Sequence, residues 1–242
     1  MHFTTFIMRN LTRRPTRSAL TVLGLAVAVA SMIALLGITS NVEHSVASSF
    51  EHREIDLIVQ QAGKTSGLNS DFSEYFVDQA RKIKGVKEIA WAVVNMIDVT
   101  RDSGYTDQVM IQGWRPDNFA FADMEIVAGR KIEAGDQRKV MLGSTLANNL
   151  NKKVGDTVVF GRPEAGNTEN VYEVIGIFKS QIVFEDGSAI VPLEDGRRLT
   201  GMRVTGFSVR VDKPNPESEA EVKAVREQIE AIRDPEDPSV RL

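Results

Sequence analysis

An uninterrupted apolar stretch near the start of the chain is followed by a long region of short, alternating apolar and polar runs. Residues 18–39 contain no charged side chain, and ten of these 22 positions are Leu, Ile or Val. At about 1.5 Å per residue, such a helix is roughly 33 Å long, which matches the hydrocarbon thickness of a bilayer. The pattern therefore predicts a transmembrane helix over 18–39.

Two other interpretations of this stretch stay open. A buried core helix is one, although core helices seldom contain more than about 14 uncharged residues in a row. A cleaved signal peptide is the other, since small residues follow at 46–48. The apolar part of a signal peptide is about 7–15 residues long, so the length favours an uncleaved anchor.

The charges around the apolar stretch predict its orientation. Up to Val42 the only charged residues are Arg9, Arg13, Arg14 and Arg17, and all four precede the stretch. The positive-inside rule then leaves the N-terminus in the cytoplasm and places residues from about 43 onward outside the inner membrane. Within 1–17, apolar side chains at helical spacing predict an amphipathic helix in the cytoplasmic membrane interface.

The chain after the span reads as mixed α/β. Residues 40–53 continue the helical period and predict a stalk helix, after which 54–60 has the composition of a strand. The apolar positions of 71–84 lie on one helical face, and 86–100 and 108–114 are β-rich runs around a turn at 102–104. A strand at 206–212 and a charged amphipathic helix at 216–233 complete this part.

A region of different texture lies between these two halves. Several short strands with Gly-rich turns, at 140–143, 157–160, 170–178 and 190–192, and a brief helix at 144–150 predict a small β-rich subdomain. The fold class is therefore α+β, in which an α/β subdomain of 54–111 and 183–242 carries an inserted β-rich subdomain of 112–182.

Composition excludes several classes of protein. There are no cysteines, so disulfides, thiolate metal sites and a cysteine nucleophile are absent. The part after residue 42 carries 25 basic and 33 acidic residues, a formal net charge of −8. Such a surface is not suited to nucleic acid or to anionic lipid.

Candidate chemistry in the sequence is sparse. His44 and His52 share a helical face and form at most a weak metal pair, and no histidine follows them, so a Ser-His-Asp triad is not expected outside the membrane. The acidic pairs 185–186 and 194–195 read as turns that lead into Gly187 and Gly196. No catalytic, cofactor-binding or metal-binding residue is therefore assigned, and the chain is expected not to be an enzyme.

One loop has the glycine spacing of a phosphate-binding loop, at 161–168. The position of the phosphate-binding lysine is occupied by Asn167, Glu164 would repel phosphate, and no long helix follows. We interpret the segment as a hairpin loop between 157–160 and 171–178.

Small residues recur four apart in the predicted span. Such spacing lets a second helix approach closely, and it makes candidate packing stripes of Gly24 with Ala28 and of Ala26, Ala30 and Ala34.

The order of several weak motifs resembles the MacB/FtsX-like permease subunits of ABC transporters. Residues 9–24 (RNLTRRPTRSALTVLG) resemble the family's basic elbow helix and first span, and 56–59 (DLIV) the first strand of its extracytoplasmic core domain. The later segments follow in the family's order: 129–130 (GR), 140–143 (VMLG), 155–157 (GDT) and 174–178 (VIGIF).

The resemblance implies a subunit that binds no cofactor and acts with a cytoplasmic ABC ATPase, which binds the ATP. It implies a homodimer or a paired permease, contact with membrane lipid, a periplasmic adaptor as a further partner, and an outer domain with porter-like and sabre-like parts that transmits motion. Members of the family have four spans, so we expect the spans and the coupling loop that would follow Leu242 to be missing because the sequence is a fragment, the gene is split or the protein is naturally truncated.

Two rival functions stay open. The main one is a single-pass anchored protein whose outer domain binds a ligand or acts as an envelope scaffold. The other is an anchored hydrolase that uses carboxylates alone. The sequence does not identify a transported substrate.

Overall fold

The computed structural model describes residues 15–52, 54–101, 103–161, 170–180, 182–215 and 218–242. The chain divides into two compact units, 1–48 and 49–242. The amphipathic helix predicted within 1–17 lies almost entirely outside the described residues.

A single long helix, α1 (Pro15–His52), makes up the described part of the first unit and runs on into the start of the second. Pro15 occupies its first position, where the missing N–H of proline costs no hydrogen bond. Described side chains over 19–35 are all exposed, and Leu20, Leu25 and Leu35 are each about two-thirds accessible. Among the described residues, no helix is both long enough and apolar enough to count as a membrane span. The span over 18–39 stays a prediction.

The second unit is mixed α/β, as predicted. Its described strands are β1 (Leu57–Val59), β2 (Val86–Thr100), β3 (Thr106–Trp114), β4 (Glu125–Gly129), β5 (Lys139–Gly143), β6 (Thr157–Phe160), β7 (Val171–Lys179), β8 (Ala189–Pro192) and β9 (Gly206–Val211). Its described helices are α2 (Tyr75–Ala80), α3 (Ser144–Leu150), α4 (Val183–Asp186), α5 (Leu193–Thr200) and α6 (Glu219–Glu230).

These strands form one sheet with the order β1-β9-β2-β3-β8-β5-β7-β4. The β2–β3 hairpin is antiparallel from Ala92↔Trp114 to Thr100↔Thr106. Strand β6 pairs with both β2 and β7, so β2, β3, β8, β5, β7 and β6 form a closed ring of paired strands, which we call the barrel. Strands β1 and β9 extend the sheet beyond the barrel on the β2 side.

Three groups of buried side chains hold this unit together. The first core lies between β1, β9 and β2 and the helices α2 and α6, and it contains Phe72, Phe76, Trp91, Phe207 and Ile229. The second core fills the barrel and contains Ile111, Leu142, Phe160, Tyr172 and Val174. The third core packs Trp114, Phe121, Met141, Phe178 and Ile190 on the outer face of β5, β7 and β8.

Strand β2 connects the first two cores. Its alternate residues Trp91 and Val93 enter the first core, and Val99, farther along the same face, enters the second. Fifteen residues at about 3.3 Å each give β2 a length of roughly 50 Å. The subdomain boundaries near 112 and 182 stay a prediction.

Helix α2 is shorter than the predicted 71–84. Phe72 is held in an extended bridge to Val204, its N–H donating to the Val204 carbonyl at 3.0 Å, so the helix begins only at Tyr75. Phe72, Phe76 and Ala80 are nonetheless fully buried, as their spacing predicts. In α6, Val225 and Ile229 face the first core, which also agrees with the pattern.

Candidate functional site

A groove of about 340 Å³ lies on the face of the sheet opposite the first core. Its floor is made by residues that alternate along β2 and β3 and point away from that core, among them Ala92, Val94, Met110 and Gln112. The loop at Ser66–Leu68 and the segment around Asn118–Ala120 close its sides. The groove lies on this face because helices α2 and α6 cover the other face of the same strands.

The walls of the groove are mainly apolar, with a few fixed polar groups. Trp114, Phe119 and Phe184 contribute aromatic surface. The Gln112 amide nitrogen donates to the Ser188 hydroxyl at 3.0 Å, and the Ser180 hydroxyl donates to the buried Glu185 carboxylate at 2.6 Å. None of the described residues that line the groove is a lysine or an arginine. The surface is suited to an uncharged apolar group and unsuited to an anion.

Two large apolar side chains remain exposed where they line this groove. Ile58 of β1 is 47% exposed and Phe184 of α4 is 48% exposed. Helix α4 is held there by a close backbone approach, since a Cβ on Gly143 would lie 2.3 Å from the Asp186 carbonyl oxygen. Only glycine fits at that end of β5, so the sequence itself positions the aromatic side chain.

A second polar cluster surrounds helix α5. Asp195 is 2% exposed, and Tyr172 of the barrel is fully buried. Burial raises the pKa of the Tyr172 hydroxyl above its ordinary value, while its bond with the Arg198 guanidinium acts in the opposite direction. Burial lowers the pKa of Arg197, the neighbouring residue. The hydrogen bonds among these groups connect α5 to the barrel.

The acidic pairs were wrongly predicted to be turns. Glu185 and Asp186 lie in α4, with Gly187 directly after it, whereas Glu194, Asp195 and Gly196 all lie inside α5. Gly196 lies inside the helix and packs against Gly113 of β3, where any larger side chain would clash. Both Glu185 and Asp195 are buried, which a surface turn would not predict.

The sequence does contain a signal for α5. Acidic residues in a first turn, basic residues in a last turn and a glycine after the helix are the usual markers of a helix and its ends. Here they are Glu194 and Asp195, Arg197 and Arg198, and Gly201, which adopts a left-handed backbone at φ 70°. The internal Gly196 obscured this pattern.

The residues assigned roles from sequence all lie within the first 34 positions, and the structure describes only some of them. Arg9, Arg13 and Arg14 lie outside the described residues, and so does the side chain of Arg17. The candidate packing residues Gly24, Ala26, Ala28, Ala30 and Ala34 are exposed on α1, and a Cβ on Gly24 would meet no other atom within 4 Å. Their roles stay predictions.

The residues of the weak histidine pair and of the glycine-spaced loop lie partly outside the described residues. The side chains of His44 and His52 are not described, and the described part of the chain contains no group of three or more His, Cys, Asp or Glu residues suited to a metal. Residues 162–169 of the glycine-spaced loop are outside the description as well. The strands on either side of it, β6 and β7, pair antiparallel, as the hairpin interpretation requires.

Comparisons with known proteins agree on a family and a fold. Residues 18–232 match the model of the MacB-like periplasmic core domain. The structure is similar to the periplasmic region of MacB from Actinobacillus actinomycetemcomitans, with a TM-score of 0.57 and 13% identity over 78% of this chain and 89% of that one. It is also similar to the extracellular domain of the noncanonic ABC-type transporter YknZ from Gram-positive bacteria, with a TM-score of 0.51 and 16% identity over 69% and 86% of the two chains. No curated protein matches the sequence.

Proposed function

The chain belongs to the family of MacB-like periplasmic core domains of MacB/FtsX-like ABC transporter permeases, and from this premise we propose that it transmits ATP-driven motion into an extracytoplasmic domain. Membership of this family supports a general description of the chain as an extracytoplasmic domain of a membrane protein with a transporter-associated role. The proposal adds a mechanical task, in which a cytoplasmic ABC ATPase supplies the energy and this chain performs no catalysis of its own.

The observation that supports this proposal most is the continuity of the sheet. Strand β2 runs through the first core and into the barrel, and β3 pairs with it over nine residues. A hydrogen-bonded hairpin of this length resists bending, so a displacement applied at one end reaches the other with little loss. A domain that only holds a ligand does not need such a connection.

The anchor proposed for this domain is the helix over 18–39, with the N-terminus in the cytoplasm. Its described apolar side chains are exposed on all sides of α1. An isolated helix that is apolar all round is typical of a membrane environment. The four arginines Arg9, Arg13, Arg14 and Arg17 then set the orientation, and the small-residue stripes are proposed to contact another span.

The orientation of the proposed span can be tested by labelling introduced cysteines, because the chain has no cysteine of its own to give background labelling. We expect a membrane-impermeant maleimide to label Tyr105→Cys in spheroplasts and to label Thr4→Cys only after lysis. Replacing all four arginines by glutamate should reverse or mix this pattern. Labelling of Thr4→Cys in intact spheroplasts would contradict the proposed orientation.

Transmission is tested on the chain purified from native membranes together with its ABC ATPase. With a spin label at Tyr105→Cys, we expect the distance between the two copies of a dimer to differ between MgATP and MgADP. A pair of labels within one copy, at Lys84→Cys and Tyr105→Cys, should keep its distance. An unchanged distance between copies, or the absence of any copurifying ATPase, would overturn the proposal.

A second candidate function is supported by the groove. Its exposed Ile58 and Phe184 favour an anchored binding or scaffold protein, because large apolar side chains at the mouth of a groove are typical of contact surfaces. That function predicts the same orientation and no response to nucleotide. The spin-label measurement therefore separates the two candidates.

A further inference from the structure

Helix α5 is placed where the first core meets the barrel. Leu193 at its start is buried in the first core, and Leu199 near its end packs against the second. Eight residues at about 1.5 Å each span roughly 12 Å, so the helix bridges the two cores directly. The helix is short and four of its eight residues are charged, so apolar burial alone does not explain how it stabilises either core.

The middle of α5 rests on the backbone of β3. A Cβ on Gly196 would lie 2.7 Å from the Gly113 Cα, and a Cβ on Gly113 would lie 3.1 Å from the Gly196 Cα. The helix and the strand are therefore in van der Waals contact without any side chain between them. This crossing lies on the hairpin that connects the two cores.

One side of the helix is tied to the first core by Arg197. Its guanidinium forms an ion pair with Glu74, which directly precedes α2. It also lies over the indole of Trp91, 5.1 Å from the ring centroid. The Arg197 side chain is 24% exposed and that of Glu74 is 45% exposed, so the arginine side of this contact is the more shielded from solvent.

The other side of the helix is tied to the barrel by Asp195 and Arg198. The Asp195 carboxylate accepts a hydrogen bond from the backbone N–H of Arg138 at 2.6 Å, immediately before β5. It also accepts one from the Arg198 guanidinium, which in turn donates to the Tyr172 hydroxyl at 3.1 Å. The buried carboxylate thus joins α5 to two strands of the barrel.

From this arrangement we propose that α5 acts with the β2–β3 hairpin as a coupling element between the first core and the barrel, with Arg197 and Asp195 as positioning residues that fix their relative orientation. The proposal rests on the proposed transmission function and names the residues through which that function acts. Arg197 and Arg198 are consecutive and point about 100° apart around the helix. Each therefore reaches a different core, and loss of either anchor leaves α5 held on that side only by the apolar contact of Leu193 or of Leu199.

The test measures orientation in the resting full chain in detergent micelles, with no nucleotide and no ATPase. One spin label at Lys84→Cys, between α2 and β2 beside the first core, and one at Lys153→Cys, in the barrel, report the distribution of distances between these two regions. We expect Arg197→Gln and Asp195→Asn each to roughly double the width of this distribution. Arg197→Lys, which retains the charge opposite Glu74, should restore part of the wild-type width.

A matched control is available in α6. Arg226→Gln removes an arginine whose ion pair, with Glu230, lies within one helix, and it should leave the width unchanged. Should Asp195→Asn fail to fold, Arg198→Gln breaks the same anchor from its more exposed side. If the variants of Arg197 and Asp195 lower the unfolding temperature but leave the width of the distance distribution unchanged, these residues only stabilise the fold and the proposal is overturned.

Broadening by only one of the two variants would also overturn it, because a coupling element needs both anchors. The measurement is independent of ATP, so its failure is distinct from failure of the transmission function. The transmission function fails instead when nucleotide has no effect on the distance between copies or when no ATPase copurifies.

Discussion

The first core and the barrel are built on the same β2–β3 hairpin, yet they are closed in different ways. In the first core, helices α2 and α6 cover one face of the sheet, and Phe72 packs edge-to-face with Phe76 and Phe207 at ring-centroid distances of 5.7 and 6.1 Å. In the barrel, the strands close on themselves through β6, and the aromatic pair of Phe160 with Tyr172 lies inside.

This difference has a mechanical meaning. Helices that rest on a sheet are held by side-chain packing, which is not directional and permits small sliding movements. A closed ring of strands is held by backbone hydrogen bonds on both edges of every strand, and it has no free edge. We therefore expect the barrel to move as a rigid body and the first core to absorb most of the internal adjustment.

The largest expected effect on stability comes from removing a buried ring from one core at a time. Phe72→Ala should lower the free energy of unfolding by about 3–5 kcal/mol, because it removes a fully buried ring that contacts two others. Hydrogen exchange followed by mass spectrometry should show faster exchange in α2 and β9, with the barrel strands still protected. Phe160→Ala is the matched variant, and it should produce the opposite distribution. Faster exchange of the same amides in both variants would mean that the cores are not separable.

The contact between α5 and β3 gives the next effect. Gly196→Ala should lower the free energy of unfolding by about 1–3 kcal/mol, since the new methyl group would overlap the Gly113 backbone. Either α5 or β3 would have to shift to relieve the overlap. Gly187→Ala is the control, because its Cβ would meet only the Phe184 carbonyl oxygen at an ordinary 3.6 Å. Chemical denaturation of the full chain in detergent measures both. Equal stability of Gly196→Ala and wild type would refute the close packing.

A smaller effect depends on pH. The Arg130 guanidinium donates two hydrogen bonds to Asp136, at 2.7 and 2.8 Å, and these hold the pKa of that carboxyl below its ordinary value. The folded state then binds fewer protons than the unfolded state, so this contribution is present above the ordinary aspartate pKa of about 3.9 and is lost as the pH falls through the lowered value.

Asp136→Asn should therefore lower the free energy of unfolding by about 1 kcal/mol at neutral pH, a modest value because Arg130 is half exposed and solvent screens the pair. The difference from wild type should become smaller in acid, where Asp136 is protonated. Unfolding measured from pH 7 down to pH 3 tests this expectation. A constant difference between the variant and wild type over that range would contradict it.

The smallest expected effect is on the surface of the first core. Arg226 and Glu230 are paired one turn apart on α6, with side chains 64% and 52% exposed. Glu230→Gln should change the free energy of unfolding by about 0.5 kcal/mol or less. Thermal unfolding of the variant is the measurement, and a loss similar to that of Asp136→Asn would show that this helix contributes more to the first core than its packing indicates.

The sequence by itself determined those elements whose pattern is local. The β2–β3 hairpin follows from alternating apolar residues around a turn with Gly104, which adopts a left-handed backbone at φ 83°. Phe72, Phe76, Val225 and Ile229 were predicted to be buried from their spacing alone. The family resemblance, carried by the order of several short motifs, is confirmed by the match over 18–232.

Only the tertiary structure decided the elements that depend on distant partners. Strand β4 was not predicted because its β-branched apolar run, Ile126 and Val127, is only two residues long, and the structure pairs it with β7. Helix α5 contains a glycine that reads as a turn until Gly113 is placed against it. The closure of the barrel through β6, and the groove on the opposite face of the sheet, depend on pairings between residues about 60 or more positions apart. Local propensity specifies a strand or a helix, but which strands become neighbours depends on the free energy of the whole packed arrangement.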